Sequence, residues 1–491
     1  MEKHILSKST FIRGMQCEKS LYLNKYHREL KDELSASQEA IFAQGTSVGE
    51  LAQSLFPGGI DCSPENYYEF QESVLKTASK IHEGHKVIYE AAFQYNGILA
   101  ALDILVLKED GWHAFEVKSS TKVSQTYLMD AAIQYYVITN SGIELQDISI
   151  VHINNQYIKN GEIDCEALFT IVSVKEDVLK QLDSLPIQID KLKQTLFASD
   201  VPKIDIGPHC DSPYACDFKG HCWQHVPKYS VFNISRLHLN KKFELYNKGI
   251  LLLKDVPDDF PLNYRQWFQV YSDYFEENII NRKAIREYNS SLNYPIHHLD
   301  FETFGTAVPI FDQSRPYQQL VFQYSMHIEY ENGVIAHKEY LAEINGDDPR
   351  EKFIDCLLND CEKEGDILVY NISFERTKLK ELQQFAPDHA DEIQKLIDRL
   401  KDLMLPFQKG WYYTPAMKGS YSIKKVLPAL VPEMSYNELT INDGGTASNT
   451  FAQLIMGHNE DQIVEKRRAL LEYCKMDTLA MVKILEVLKK V

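Results

Sequence analysis

The chain has 491 residues, of which 44% are hydrophobic and 25% charged, with a formal net charge of −18. This is the make-up of a globular protein of about three domains, and it excludes a low-complexity or disordered chain. No GxxxxGK[ST] sequence occurs, which excludes a P-loop motor within this sequence. The acidic balance leaves a nucleic-acid partner open, because binding depends on a local basic path and clustered carboxylates are what a metal site needs.

The opening MEKHILSKSTFIRGMQCEKS lacks the apolar stretch of a signal peptide. The longest apolar run, Gly97 to Leu107, is broken by Asp103 and is too short to span a bilayer. The expectation is a cytoplasmic protein with no membrane partner. Its nine cysteines then serve as thiols or metal ligands rather than disulfides.

In chain order, residues 1–228 read as a first α/β unit. It has a helix over Ile41–Leu55, strands at Ile88–Phe93, Gly97–Leu107 and Gly111–Lys118, and a helix over Tyr127–Thr139. Residues 229–290 read as a helical connector or a small element that grips nucleic acid. Residues 291–491 read as a second α/β unit. Strands are expected at Ile296–Glu302, Gln319–Tyr330 and Ile367–Tyr370, and helices at Phe353–Glu364, Phe374–Leu382 and Asp461–Leu488.

In the first unit Asp103 and Glu116 interrupt strongly apolar strands, where unpaired charge is costly. Glu116 and Lys118 are two apart and share a strand face. Paired through the KEDG turn, the two strands would bring Asp103 to the same face. Two carboxylates suit a hard divalent cation such as Mg²⁺ or Mn²⁺, the Val117 carbonyl offers a further ligand, and the lysine suits transition-state charge. Solvent-facing charges on an ordinary hairpin are the alternative. The set Gly45–Glu50, Glu90, Asp103, Glu116-Val117-Lys118 and Gln134-Tyr135 resembles the RecB-like branch of the PD-(D/E)XK nucleases. That resemblance implies a restriction-endonuclease-like fold, metal at Asp103 and Glu116, catalysis by Lys118, and a supporting Gln134. Relatives place a histidine where Gly49 stands, with Glu50 as the substitute.

Cys210, Cys216 and Cys222 form a close cluster near the end of the unit, with Cys17 as the candidate fourth ligand. The residues alone permit Zn²⁺, with His209, His221 and His225 nearby. Iron–sulfur members of the RecB-like branch carry one cysteine before the nuclease core and three after it. That resemblance implies a [4Fe–4S] cluster on these four. The other cysteines, Cys62, Cys165, Cys356, Cys361 and Cys474, read as structural.

In the second unit Asp300 and Glu302 share a strand face, Asn371 and Glu375 open a helix, and Tyr473 and Asp477 lie four apart on one helix face. Four carboxylates in this order suit two divalent cations clamping a phosphate. The ordered set resembles the tyrosine-bearing DEDD exonucleases, which have an RNase H-like fold. It implies metal at Asp300, Glu302, Glu375 and Asp477, water positioning by Tyr473, and removal of nucleotides from 3′ ends. Glu375 stands where the family usually has Asp. The fusion of the two domains is similar to a bacterial family with this arrangement, and the resemblance covers nearly the whole chain.

Between Asp402 and Glu433 there is no acidic residue, while Lys409, Lys418, Lys424 and Lys425 alternate with aromatics including Tyr421. Such a stretch suits a phosphate backbone with stacked bases; an ordinary core with solvated lysines is the alternative. The expected activity is therefore a two-site metal-dependent nuclease on DNA, single-stranded by preference, in repair, processing or defence, with a separate helicase as a candidate partner. The alternatives are RNA processing at the DEDD site and non-catalytic nucleic-acid binding.

Overall fold

The computed structural model describes residues 4–66, 69–457 and 462–491. The fold is mixed α/β and divides into two compact units, residues 1–225 with 306–317, and 226–305 with 318–491.

The first unit holds a seven-stranded sheet made of β1 (Leu6–Ser7), β2 (Ile60–Asp61), β3 (Val87–Tyr95), β4 (Ile98–Lys108), β5 (Gly111–Lys118), β6 (Leu145–Ile153) and β7 (Phe169–Ser173). Neighbours run in the order β2-β3-β4-β5-β6-β7, with β1 added beside β4. The pairs β3–β4 and β4–β5 are antiparallel, and β5–β6 is parallel. Strand β4 forms because apolar residues run almost unbroken on both faces, as suits a strand covered on both sides, and β5 pairs along it. Helix Gln125–Asn140 supplies one cover, with Ala131, Ile133, Val137 and Ile138 buried in the core. Ser124 starts it by accepting the Tyr127 backbone N–H at 3.3 Å.

The boundaries differ from the expected 1–228, 229–290 and 291–491. Residues 306–317 leave the second half of the sequence and join the first unit. Ala307 is buried in a core cluster with Val48, Phe115 and Val151. The Tyr317 hydroxyl donates to the Ser119 carbonyl, and Lys159 pairs with Asp312 at 2.8 Å. The segment 229–290 belongs to the second unit. Val231, Ile234, Leu245, Leu253 and Val270 form a core of their own.

That segment also carries β8 (Ile279–Ile280). The second unit continues with β9 (Ile296–Phe304), β10 (Leu320–Glu329), β11 (Ile335–Leu341), β12 (Ile367–Val369), β13 (Leu400–Asp402) and β14 (Tyr412–Tyr413). Five of these form a sheet in the order β11-β10-β9-β12-β13, and β8 pairs with β14. Strand β9 is antiparallel to β10 and parallel to β12. Helix Pro349–Asp360 starts earlier than expected because Asp348 caps it, accepting the Arg350 N–H at 3.0 Å, with Pro349 at the first position. The closing helix spans Ile463–Lys489; its expected start at Asp461 lies outside the described residues. No helix among the described residues is long and apolar enough to cross a membrane.

Candidate metal centres

Across the first sheet the register aligns three carboxylates. Tyr89 pairs with Ile104 and Ala91 with Leu102, which sets Glu90 opposite Asp103; Ile104 pairs with Phe115, which sets Asp103 opposite Glu116. Glu90 adopts φ +52°, a left-handed conformation rare in a strand. The Asp103 carboxylate accepts the Val117 backbone N–H at 2.5 Å. Gln134 donates to Glu116 at 2.5 Å and to the Ala101 carbonyl at 2.9 Å. Lys118 contacts Glu116 and Asp130, each at 2.7 Å.

Burial, reinforced by Glu116, pushes the Asp103 carboxyl well up, and Glu90 rises to about 7 for the same two reasons. Burial also works against the Glu116 charge, but Lys118 and Lys8 outweigh it and hold that carboxyl low. Two partners were missed from sequence. Lys8 reaches Glu116 at 2.5 Å from the N-terminal helix, 108 residues away, and Asp130 sits one helical turn before Gln134. Glu50 is exposed on helix Ala36–Ala52, and no hydrogen bond or ion pair joins it to this row among the described residues.

In the second unit β9 carries Asp300 and Glu302, while helix Ile463–Lys489 carries Tyr473, Cys474 and Asp477, all three buried. Asp300, Glu302, Tyr473 and Asp477 line one cavity of about 400 Å³ with Lys424 and Tyr370. Donor atoms of Asp300, Glu302 and Cys474 all lie within 4.8 Å of one another, spacing compatible with one cation. Cys474, read as structural from sequence, thus stands beside the acidic pair, its thiol 3.9 Å from Asp300. Burial and then Asp477 raise both Asp300 and Glu302 well above the ordinary carboxyl range. Asp477 rises to about 6, burial prevailing over the Tyr436 hydroxyl, which donates to it at 2.6 Å, and over Lys424.

Glu375 is buried in the first turn of helix Ile372–Phe385. It does not line the cavity among the described residues, one carboxylate oxygen has no hydrogen-bond partner, and burial raises it to about 8. Asn371 takes φ +78° at the start of that helix, and its backbone N–H donates to Asp402 at 3.2 Å. Lys424, expected on a nucleic-acid path, donates to the Tyr473 hydroxyl at 2.9 Å and to the Asn442 carbonyl at 2.8 Å. It also lines a second cleft of about 340 Å³ with Lys418 and Lys425. Lys409 is exposed and lines neither.

Cys17, Cys210, Cys216 and Cys222 carry free thiols and line one small cavity of about 20 Å³. Burial raises the Cys17 thiol, with Cys216 and Cys210 adding to it. The two ends of the unit are also tied without the thiols. Arg13 pairs with Asp217 at 2.5 Å, and Gln16 donates to the His209 and Tyr214 carbonyls, each at 2.7 Å.

Residues 297–422 match a family described as a domain of unknown function, DUF2779. The match contains Asp300, Glu302 and Glu375 and stops before Lys424, Tyr473 and Asp477. The chain is 28% identical over 218 residues to an uncharacterized protein of Ureaplasma parvum, covering 39% of this chain and 31% of that protein. It is 28% identical over 207 residues to an uncharacterized protein of Mycoplasma pneumoniae, covering 38% of this chain and 31% of that protein. An uncharacterized protein of Mycoplasma genitalium is 24% identical over 206 residues. The chain thus spans about a third of the length of the curated relatives it matches.

Proposed function

We propose that the chain is a metal-dependent nuclease with two hydrolytic centres acting on single-stranded DNA. The observation that carries the reading is the row Glu90–Asp103–Glu116, flanked by Lys118 and Gln134. The Glu116 charge raises both Asp103 and Glu90; carboxylates that repel one another in this way favour a cation or protons between them, and the sheet positions them on adjacent strands. The sheet around the row, with helix Gln125–Asn140 against it, supports a restriction-endonuclease-like core. The order β11-β10-β9-β12-β13, with Asp300 and Glu302 on the central strand, supports an RNase H-like second domain.

The residues fit divalent cations. Asp103 and Glu116 would hold one in the first unit, with Glu90 as a further donor. Asp300, Glu302 and Asp477 would hold another in the second. A bound Mg²⁺ or Mn²⁺ would supply charge neutralisation at the phosphate and an acidified water. The chain's own groups do the rest. Lys118 places a cation beside developing phosphate charge, and Gln134 fixes the Glu116 carboxylate. Lys424 holds the Tyr473 hydroxyl toward the acidic cavity, where it can orient a water. Glu375 lies close enough for its charge to raise both Asp300 and Glu302, so it stands as a fourth donor beside the three carboxylates. The four thiols around one cavity are the donor set of a [4Fe–4S] cluster, with Zn²⁺ as the alternative, and either would tie the N-terminal helices to residues 210–222.

Degradation of end-labelled single-stranded DNA in Mn²⁺, compared with the same strand in RNA, tests this reading. DNA shortened faster than RNA is the expected result. Faster loss of RNA would favour RNA processing, and binding without cleavage of either would favour a non-catalytic protein.

A further inference from the structure

A cavity of about 450 Å³ in the second unit, rich in aromatic side chains, shares no lining residue with the acidic cavity. Its walls include Tyr264, Phe268, Tyr413 and Tyr421, together with Arg236 and Arg265. Among the described residues no carboxylate lines it, in a chain of net charge −18. Tyr264 is 76% exposed, and its ring meets Phe268 edge-on at 4.2 Å. The Arg236 guanidinium stands 5.4 Å over the Tyr421 ring.

The walls are held in place. Gln269 accepts the Ser235 N–H at 2.8 Å and donates to the Asn233 carbonyl at 3.0 Å. Gly419, at φ +76°, packs so closely that a Cβ there would collide with Gln269 and Asn233. The Tyr413 hydroxyl accepts the Gly419 N–H at 3.0 Å. Tyr370, which lines the acidic cavity, donates its hydroxyl to the Tyr421 carbonyl at 2.7 Å. One short stretch therefore serves three sites: Met417, Gly419, Ser420 and Tyr421 wall the aromatic cavity, Lys418 and Lys425 the basic cleft, and Lys424 both that cleft and the acidic cavity.

We propose that this cavity stacks unpaired bases of the nucleic-acid strand whose backbone crosses the Lys418–Lys425 cleft. Ring faces beside guanidinium groups, without carboxylates, suit flat electron-rich bases attached to phosphates. Arg236 and Arg265 are exposed at the cavity rim, where they can meet the phosphates that flank a base. The choice of ligand rests on the nuclease reading; the cavity and its chemistry do not.

The test measures binding of fluorescent oligothymidylate by full-length protein in Ca²⁺, and degradation of the same strand in Mn²⁺. The variants are Tyr264→Ala and the double variant Y264A/Y421A, with thermal melts to establish folding; Tyr264 is exposed enough that its single change leaves the core intact. The expected result is affinity about tenfold lower for the double variant, a smaller loss for Y264A, and wild-type affinity for an abasic strand reduced to a similar level. Unchanged affinity in both variants, or equal affinity of wild type for abasic and base-bearing strands, overturns the base pocket even if Mn²⁺-dependent degradation persists. Pocket-dependent binding with no degradation upholds the pocket and overturns the nuclease reading. Wild type that binds no single strand overturns the pocket outright.

Discussion

Lys8 and Glu116, 108 residues apart, are joined by an ion pair of 2.5 Å, and Glu116 takes a second ammonium from Lys118 at 2.7 Å. A buried carboxylate held between two lysines stays ionised at low pH, although burial alone would push it the other way. Removing Lys8 withdraws one of the two charges that keep it ionised. In a background with Asp300→Ala, Lys8→Met should lower nuclease turnover about tenfold and move the acid limb of the pH–rate profile upward, with Lys8→Arg restoring most of it. Lys118 does more than Lys8 to hold Glu116 ionised, so Lys118→Ala should move the acid limb further; above that limb it should cost at least about a hundredfold with metal affinity nearly unchanged, as its proposed action on developing charge requires. Titration of Mn²⁺ beside rate measurements separates the two effects.

At the second centre the Tyr473 hydroxyl accepts from Lys424 at 2.9 Å. Tyr473→Phe should reduce the second activity about a hundredfold, and Lys424→Met should reduce it less, because the lysine acts by positioning the hydroxyl. Asp300→Ala should abolish it. With Asp103 also replaced, a strand blocked at its 3′ end should survive while a free one shortens; equal rates would contradict the 3′ polarity.

The raised carboxyls make stability depend on pH and on metal. Unfolded, these groups ionise near pH 4. Folded, Asp477 is raised to about 6, Glu90 to about 7 and Glu375 to about 8, burial being the largest cause in each. Their neutral forms stabilise the fold fully below about pH 4, and that contribution is lost as pH rises through the folded values. Glu116 and Glu329 run the opposite way, being held low, so their contribution is present above about pH 4 and is lost toward pH 2. Chelated protein should therefore melt at a lower temperature at about pH 8 than at about pH 6, and Mn²⁺ should recover more at the higher pH. A melting temperature flat across that range, with and without Mn²⁺, would contradict the assignment of these carboxylates.

Cys17 shares its cavity with three cysteines nearly two hundred residues away in sequence. Protein purified without oxygen should be brown, with about four irons and four sulfides per chain. Cys17→Ala should lose the cluster as completely as Cys216→Ala. The Arg13–Asp217 pair still ties the two segments, so the variant should fold, melt lower, and retain the activity of the second unit. Colourless protein with one tightly bound zinc would select the zinc alternative.

What could be read from the sequence was what local pattern dictates. Asp103 and Glu116 stood out because each breaks an apolar strand, and Tyr473 with Asp477 because four residues make one helical face. Lys8 and Asp130 carried no such signal: a lysine in an N-terminal helix is ordinary until the fold brings it to Glu116. Lys424 was visible as part of a basic stretch, but its bond to Tyr473 depends on the packing of helix Ile423–Leu430. Cys474 looked like one more scattered thiol, since nothing local announces that β9 passes beside it. The passage of residues 306–317 into the first unit was illegible for the same reason. Its anchors, Ala307, Asp312 and Tyr317, meet partners far away in the chain.

The most direct test of two metal-dependent centres is the degradation of 5′-labelled single-stranded DNA in Mn²⁺ by wild type, Asp103→Ala, Asp300→Ala and the double variant. Each single variant should keep one activity with its own product pattern. The double variant, and wild type after chelation, should leave the strand intact. A double variant that degrades the strand as fast as wild type would contradict the account at its centre.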